Sequence, residues 1–138
     1  MKYILILVGM IGAVLNCCAQ APKNTKRITV SVDALAGDNY YSLGRTLLDK
    51  GYQIEGDKDF LTIKTADSDI KGTGVYVQYY FVCKDKEIEV SGRATVPSVD
   101  KLVYVDVQNK GLQGFPMKEA FEDMEALAVS LGRVMRYR

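Results

Sequence analysis

The side chains of this 138-residue chain that could do chemistry are its carboxylates, cysteines and tyrosines, because it contains no histidine. That absence removes Ser-His-Asp and Cys-His catalysis, His-ligated metal sites and the usual near-neutral proton switch. Asp67-Ser68-Asp69-Ile70-Lys71-Gly72 opens like a calcium loop, with acids at its first and third positions and glycine at its sixth. The pattern then fails, because Lys71 holds the fifth position and Gln78 stands where a bidentate glutamate belongs, so the segment reads as a solvated turn. Gly72-Thr73-Gly74 is too short for a phosphate-binding loop and precedes a strand, whereas such loops open helices. Asp57 with Asp59, and Glu87 with Glu89, are the carboxylate pairs to weigh for hydrolysis. Both lie at or beside hairpin turns, where carboxyls stay hydrated, and a catalytic acid needs burial to raise its pKa. The sequence therefore predicts no catalytic residue, no metal site and no cofactor.

The three cysteines divide into two kinds. Cys83 alternates in register with Val75, Val77, Tyr79 and Phe81, which predicts a buried, inert thiol with no disulfide partner inside the domain. Cys17 and Cys18 come after Lys2 and the apolar run from Tyr3 to Leu15, a run suited to a signal peptide and short of the roughly 20 residues that span a bilayer. Two cleavage readings are open. In one, Leu15-Asn16-Cys17-Cys18 resembles a bacterial lipobox, and Cys18 takes the lipid; Cys17 fits less well because it follows Asn16. In the other, signal peptidase cuts after Ala19 and releases a soluble periplasmic or secreted protein beginning at Gln20.

The composition, 48% hydrophobic and 25% charged, is that of a globular chain. Lys2 is the one charged residue among the first 19, and the remaining basic and acidic side chains cancel, so bulk electrostatics gives no reason to expect nucleic acid as a partner. The organisation expected is a signal peptide over 1–19, a polar tether over 20–27 and a single α+β domain over 28–138.

Within that domain, Ile28, Val30 and Val32 alternate with Thr29, Ser31 and Asp33, predicting a half-buried strand. Asp38 is the expected cap of a helix carrying Tyr40, Leu43, Leu47 and Leu48 on its apolar side, with Gly51 just past its end. Two hairpins come next. A turn over Gly56 to Asp59 sets Ile54 opposite Leu61 and Tyr52 opposite Ile63. A two-residue turn at Asp85-Lys86 sets Cys83 against Ile88, Phe81 against Val90, Tyr79 against Gly92 and Val77 against Ala94; a three-residue turn would bring Glu87 to the inner face and is rejected. Another strand alternates Val103, Val105 and Val107 with Leu102, Tyr104 and Asp106 after a break at Pro97. A long terminal helix starts at Pro116 and carries Met117, Phe121, Met124, Ala128, Leu131 and Met135, with Ala120, Leu127 and Val134 widening the stripe. The fold predicted is an antiparallel five- to six-stranded sheet with two helices on one face, in the order β-α-β-β-β-β-(β)-α.

The face away from the helices would carry Phe60, Tyr76, Tyr80, Val82 and Tyr104, with Arg93 as a polar contact. Strand propensity alone can place Tyr and Val there. The functional alternative is a binding surface for a protein, glycan or lipid.

The order strand, helix, meander and long helix behind a lipobox resembles small envelope lipoproteins of Gram-negative bacteria, among them the small lipoprotein of the lipopolysaccharide translocon. The likeness rests on Ile28-Thr29-Val30, on Leu43, Leu47, Gly51 and Ile54, and on Leu127-Ala128 and Leu131 of the terminal helix. The Cys-Ala-Gln end of the signal resembles exported proteins of the Bacteroides group. These resemblances imply a non-catalytic protein anchored in the outer membrane by its lipid, facing the periplasm and acting as an interaction or assembly module with an envelope partner. The alternative is a soluble periplasmic carrier of a small lipid or glycan, with a cavity lined by Tyr79, Phe81, Phe121 and Met124.

Overall fold

The structure, a computed structural model, describes residues 20–138; the export segment, with Cys17 and Cys18, lies outside the described residues. The spine is a long hairpin, β5 (Tyr76–Lys84) and β6 (Glu87–Pro97), joined by the two-residue turn at Asp85-Lys86 in the register that parity requires: Cys83 faces Ile88, Phe81 faces Val90, Tyr79 faces Gly92 and Val77 faces Ala94. β1 (Arg27–Ser31) and β7 (Leu102–Asp106) share the free edge of β6, β1 against Glu87 to Ser91 and β7 against Arg93 to Pro97. β3 (Thr62–Thr65) and the short β4 (Ser68–Asp69) share the edge of β5, and β2 (Ile54–Asp57) pairs with β3. Helices α1 (Ala36–Asp49) and α2 (Pro116–Leu131) cover one face, burying Leu43 and Leu47, and Phe121, Met124 and Ala128, against Ile28, Val30, Val77, Phe81 and Val90. The α+β class and the antiparallel sheet are as the residue pattern predicted, but the sheet has eight strands.

The additional strand at the end of the chain changes the reading of the terminal helix. α2 stops at Leu131, and β8 (Arg133–Tyr137) runs back antiparallel along β1, so Val134 and Met135 leave the helical stripe. Gly132 makes the switch possible: a Cβ there would run into the Ser31 carbonyl oxygen, so only glycine lets the chain pass this close to β1. A bulge between Thr29 and Val30 shifts the β1–β8 register and spoils the two-residue alternation that marks a strand in sequence.

Three further details depart from expectation. In the first hairpin Ile54 faces Thr65 and Gly56 faces Ile63, so parity is kept but the turn lies later, where the Asp57 carboxylate accepts hydrogen bonds from the Asp59 and Phe60 amides and Leu61 takes a positive φ of 51°. α1 begins at Ala36, before Asp38, and its first turn is capped by Asp85 of the β5–β6 turn, which accepts from the Ala36 amide at 2.9 Å. Residues read as a tether run against the fold: Ala21 and Thr25 are buried, and the Asn109 side chain donates to the Ala21 and Pro22 carbonyls.

Candidate functional site

Alternation along β5 and β6 sends Tyr76, Gln78, Tyr80 and Val82, and Glu89, Ser91, Arg93 and Thr95, to the face that the helices leave open. This outer face has two halves. Toward the Asp85-Lys86 turn it is ionic. Glu89 pairs with Arg27 and Lys84, each at 3.4 Å, and Glu87 pairs with Arg136 at 3.2 Å and Lys84 at 3.8 Å. Thr29 is 2% exposed even though its neighbours in the sheet are Glu89 and Arg136. The Glu87/Glu89 pair is thus neutralised by cations and is not arranged as a general acid beside a base.

Toward the other end the face is aromatic. Tyr104 and Tyr76 stand on either side of Thr95, and Arg93 lies in the next outward row opposite Gln78 and Asp106. The Arg93 guanidinium stacks over the Tyr80 ring, 5.6 Å from its centroid, and the Tyr80 hydroxyl donates to Gln78 Oε1 at 2.7 Å. Among the described residues Arg93 has no carboxylate partner, because Asp106, the acid opposite it, is taken by Lys26 at 3.2 Å. Between the start of β1 at Arg27 and the end of β7 at Asp106, where the Gly92 carbonyl accepts from the Val107 amide, a cleft of about 470 Å³ lies between Lys26, Arg27, Tyr80, Ser91, Arg93 and Asp106. Three cations, one carboxylate and an aromatic ring make a surface suited to an anionic group on a partner.

The structure therefore gathers Tyr76, Tyr80, Arg93 and Tyr104. Val82 lies a row away in the ionic half, between Glu89 and Thr62, and Phe60, 74% exposed, belongs to the β2–β3 turn and stands apart. Lys26 and Arg27 were hidden from sequence reasoning because the residues before Ile28 looked like a tether; only the pairing of Arg27 with Ser91 places them here. The carrier cavity is not formed: Tyr79, Phe81, Phe121 and Met124 are each 2% exposed or less and close on one another in the core, with the Tyr79 hydroxyl donating to the Ala120 carbonyl.

The remaining chemical candidates have structural work. Asp69 accepts from the Gly74 amide, and Lys71 pairs with Glu119 at the start of α2, which holds the Lys71 ammonium pKa above its usual value. Among the described residues no group of three or more ligating side chains could hold a metal. Burial alone pushes the Cys83 thiol up to about 11, which keeps it protonated and unreactive.

No family model and no curated protein matches the chain. Among solved structures, it is similar to a TBP-like protein from Parabacteroides distasonis at a TM-score of 0.43 and 13% identity, over 76% of this chain and 87% of that one. A likeness of that size carries no argument about what either molecule does.

Proposed function

We propose that the protein is a non-catalytic, lipid-anchored component of the bacterial envelope, acylated at Cys18, that works as an interaction module through the aromatic half of its outer sheet face. The observation that carries this reading is Arg93, held over the Tyr80 ring in the row next to exposed Tyr76 and Tyr104, with its guanidinium donors directed to no carboxylate of the described chain. A preordered cation on an aromatic platform binds a carboxylate or phosphate with little further loss of side-chain entropy. The envelope partner this surface fits presents an anionic group beside an apolar one. The export segment and the Cys18 lipobox supply the location.

A photo-crosslinking residue at Tyr76 or Tyr104 in cells tests the face. One discrete adduct, absent when the same residue replaces Leu48 on α1 and lost when Arg93→Ala is combined with it, supports the reading. Equal adducts from both faces, or none from the sheet, overturn it. The mass of the mature amino-terminal peptide tests the anchor: an acylated Cys18 supports it, and a free Gln20 removes it.

A further inference from the structure

Beyond Arg93 and Asp106, β6 and β7 run on together, with Thr95 against Tyr104 and then, past Tyr76 where β5 begins, as a two-stranded ribbon with Val96 against Val103 and Pro97 against Leu102. Its paired residues are apolar on both sides, and the turn that joins them, Ser98-Val99-Asp100-Lys101, carries one acid and one base beside Val99. Val96 and Val103 point to the helix side and Leu102 and Tyr104 to the outer side, yet all are exposed, and Val99 at the tip is 100% exposed. Large apolar side chains grouped in water around one hairpin end call for a cover. The cover is indicated by where the chain enters. Asn109, which lies just past β7, clamps the Ala21 and Pro22 carbonyls, and its backbone exchanges hydrogen bonds with Asn24 and Thr25, so the amino-terminal segment is fixed at the root of the ribbon. Cys18 is separated from buried Ala21 by only Ala19 and Gln20, a reach of about 10 Å at most. From that root the five-residue β7 runs about 17 Å toward the tip, its Val103 and Leu102 lying beyond the reach of β5.

We propose that the tip of the β6–β7 hairpin inserts into the lipid surface as a second membrane contact beside the acylated amino terminus; the inference rests on the lipid-anchored reading above. With no slack between the lipid and the fold, the bilayer lies within reach of the tip. Val99 and Leu102 then enter the acyl boundary, while Tyr104, nearer the sheet, stays on the recognition face. The acyl chains on Cys18 hold one point of the chain at the membrane, and an apolar protein contact adds a second point to it. Two contacts also fix the orientation of the domain, so the outer face is presented at a set angle to the membrane.

The chain contains no tryptophan, so a single one reports without background. The full-length gene carrying Val99→Trp is expressed, and the mature protein is reconstituted into phosphatidylethanolamine–phosphatidylglycerol vesicles with acyl-brominated lipid. Strong quenching in the Val99→Trp protein, with none for Phe60→Trp or Leu48→Trp, supports the proposal. Quenching alike in all three variants, or an unquenched indole in Val99→Trp protein that mass spectrometry shows to be acylated, overturns it. Val99→Asp with Leu102→Asp should speed transfer of the acylated protein between vesicles about tenfold or more, as burial of two aliphatic side chains implies; an unchanged rate also overturns it. Failure of the anchor reading has a different signature, an unmodified Gln20 terminus. Vesicles mixed with that unacylated Val99→Trp protein then decide the tip by itself: a quenched indole upholds lipid contact and an unquenched one ends it.

Discussion

The two faces of the sheet are made by the same strands and differ in what covers them. On the inner face Val77, Tyr79, Phe81 and Cys83 meet Ile88, Val90, Gly92 and Ala94 under two helices, and nearly every side chain there is excluded from water. On the outer face the intervening residues meet a lattice of ion pairs at one end and a tyrosine–arginine cluster at the other. The inner face carries the stability, because removal of apolar area from water is the dominant favourable term. The outer ion pairs are solvent-exposed and each is worth little. Selection on the outer face is thus free to act on recognition, and a change there should report binding without reporting folding.

The sharpest test of that contrast is Phe81→Ala, which leaves a cavity in the core and should cost about 3–5 kcal/mol, read as a fall in the urea midpoint. Gly132→Ala should cost about 1–3 kcal/mol by forcing β8 away from the Ser31 carbonyl, with loss of amide protection along β8 and β1; an unchanged exchange pattern would show that the close approach is dispensable. Asp85→Ala removes the cap on α1 that comes from the spine turn and should cost about 1 kcal/mol. Tyr76→Ser with Tyr80→Ser should stay within about 1 kcal/mol of the parent while abolishing crosslinking to the partner; a large loss of stability would make the outer tyrosines part of the core.

A further test concerns alkaline pH. The folded state holds the Cys83 thiol near 11 against an ordinary 9.0, so the neutral thiol is favoured in the fold, and its contribution to stability is complete below pH 9 and fades as pH rises from 9 toward 11. Tyr79, raised by burial and by nearby Asp123, acts in the same direction. Denaturation measured across that window should show the decline, and Cys83→Ala should remove part of it. At neutral pH a thiol reagent should label Cys83 only at the rate of unfolding.

The sequence by itself determined the β5–β6 hairpin, because a two-residue turn and strict alternation over both strands leave one register in which Phe81, Val90 and their neighbours share a face. It likewise determined both helices as far as Leu131 and the outward set of tyrosines. Only the tertiary structure decided the path of the chain beyond Gly132. The helical apolar spacing continues through Val134 and Met135, and nothing local reveals that the open edge of β1 offers backbone partners there and that a bulge will break the alternation. The same holds for Asp85 as the cap of a helix 49 residues earlier, and for Ala21, Lys26 and Arg27, whose polar surroundings looked like a tether until Asn109 and Ser91 were brought beside them. Local patterns fix periodicity and face. Which backbone edges meet, and which side chains come together across them, depends on contacts distant in sequence that no window of neighbouring residues contains.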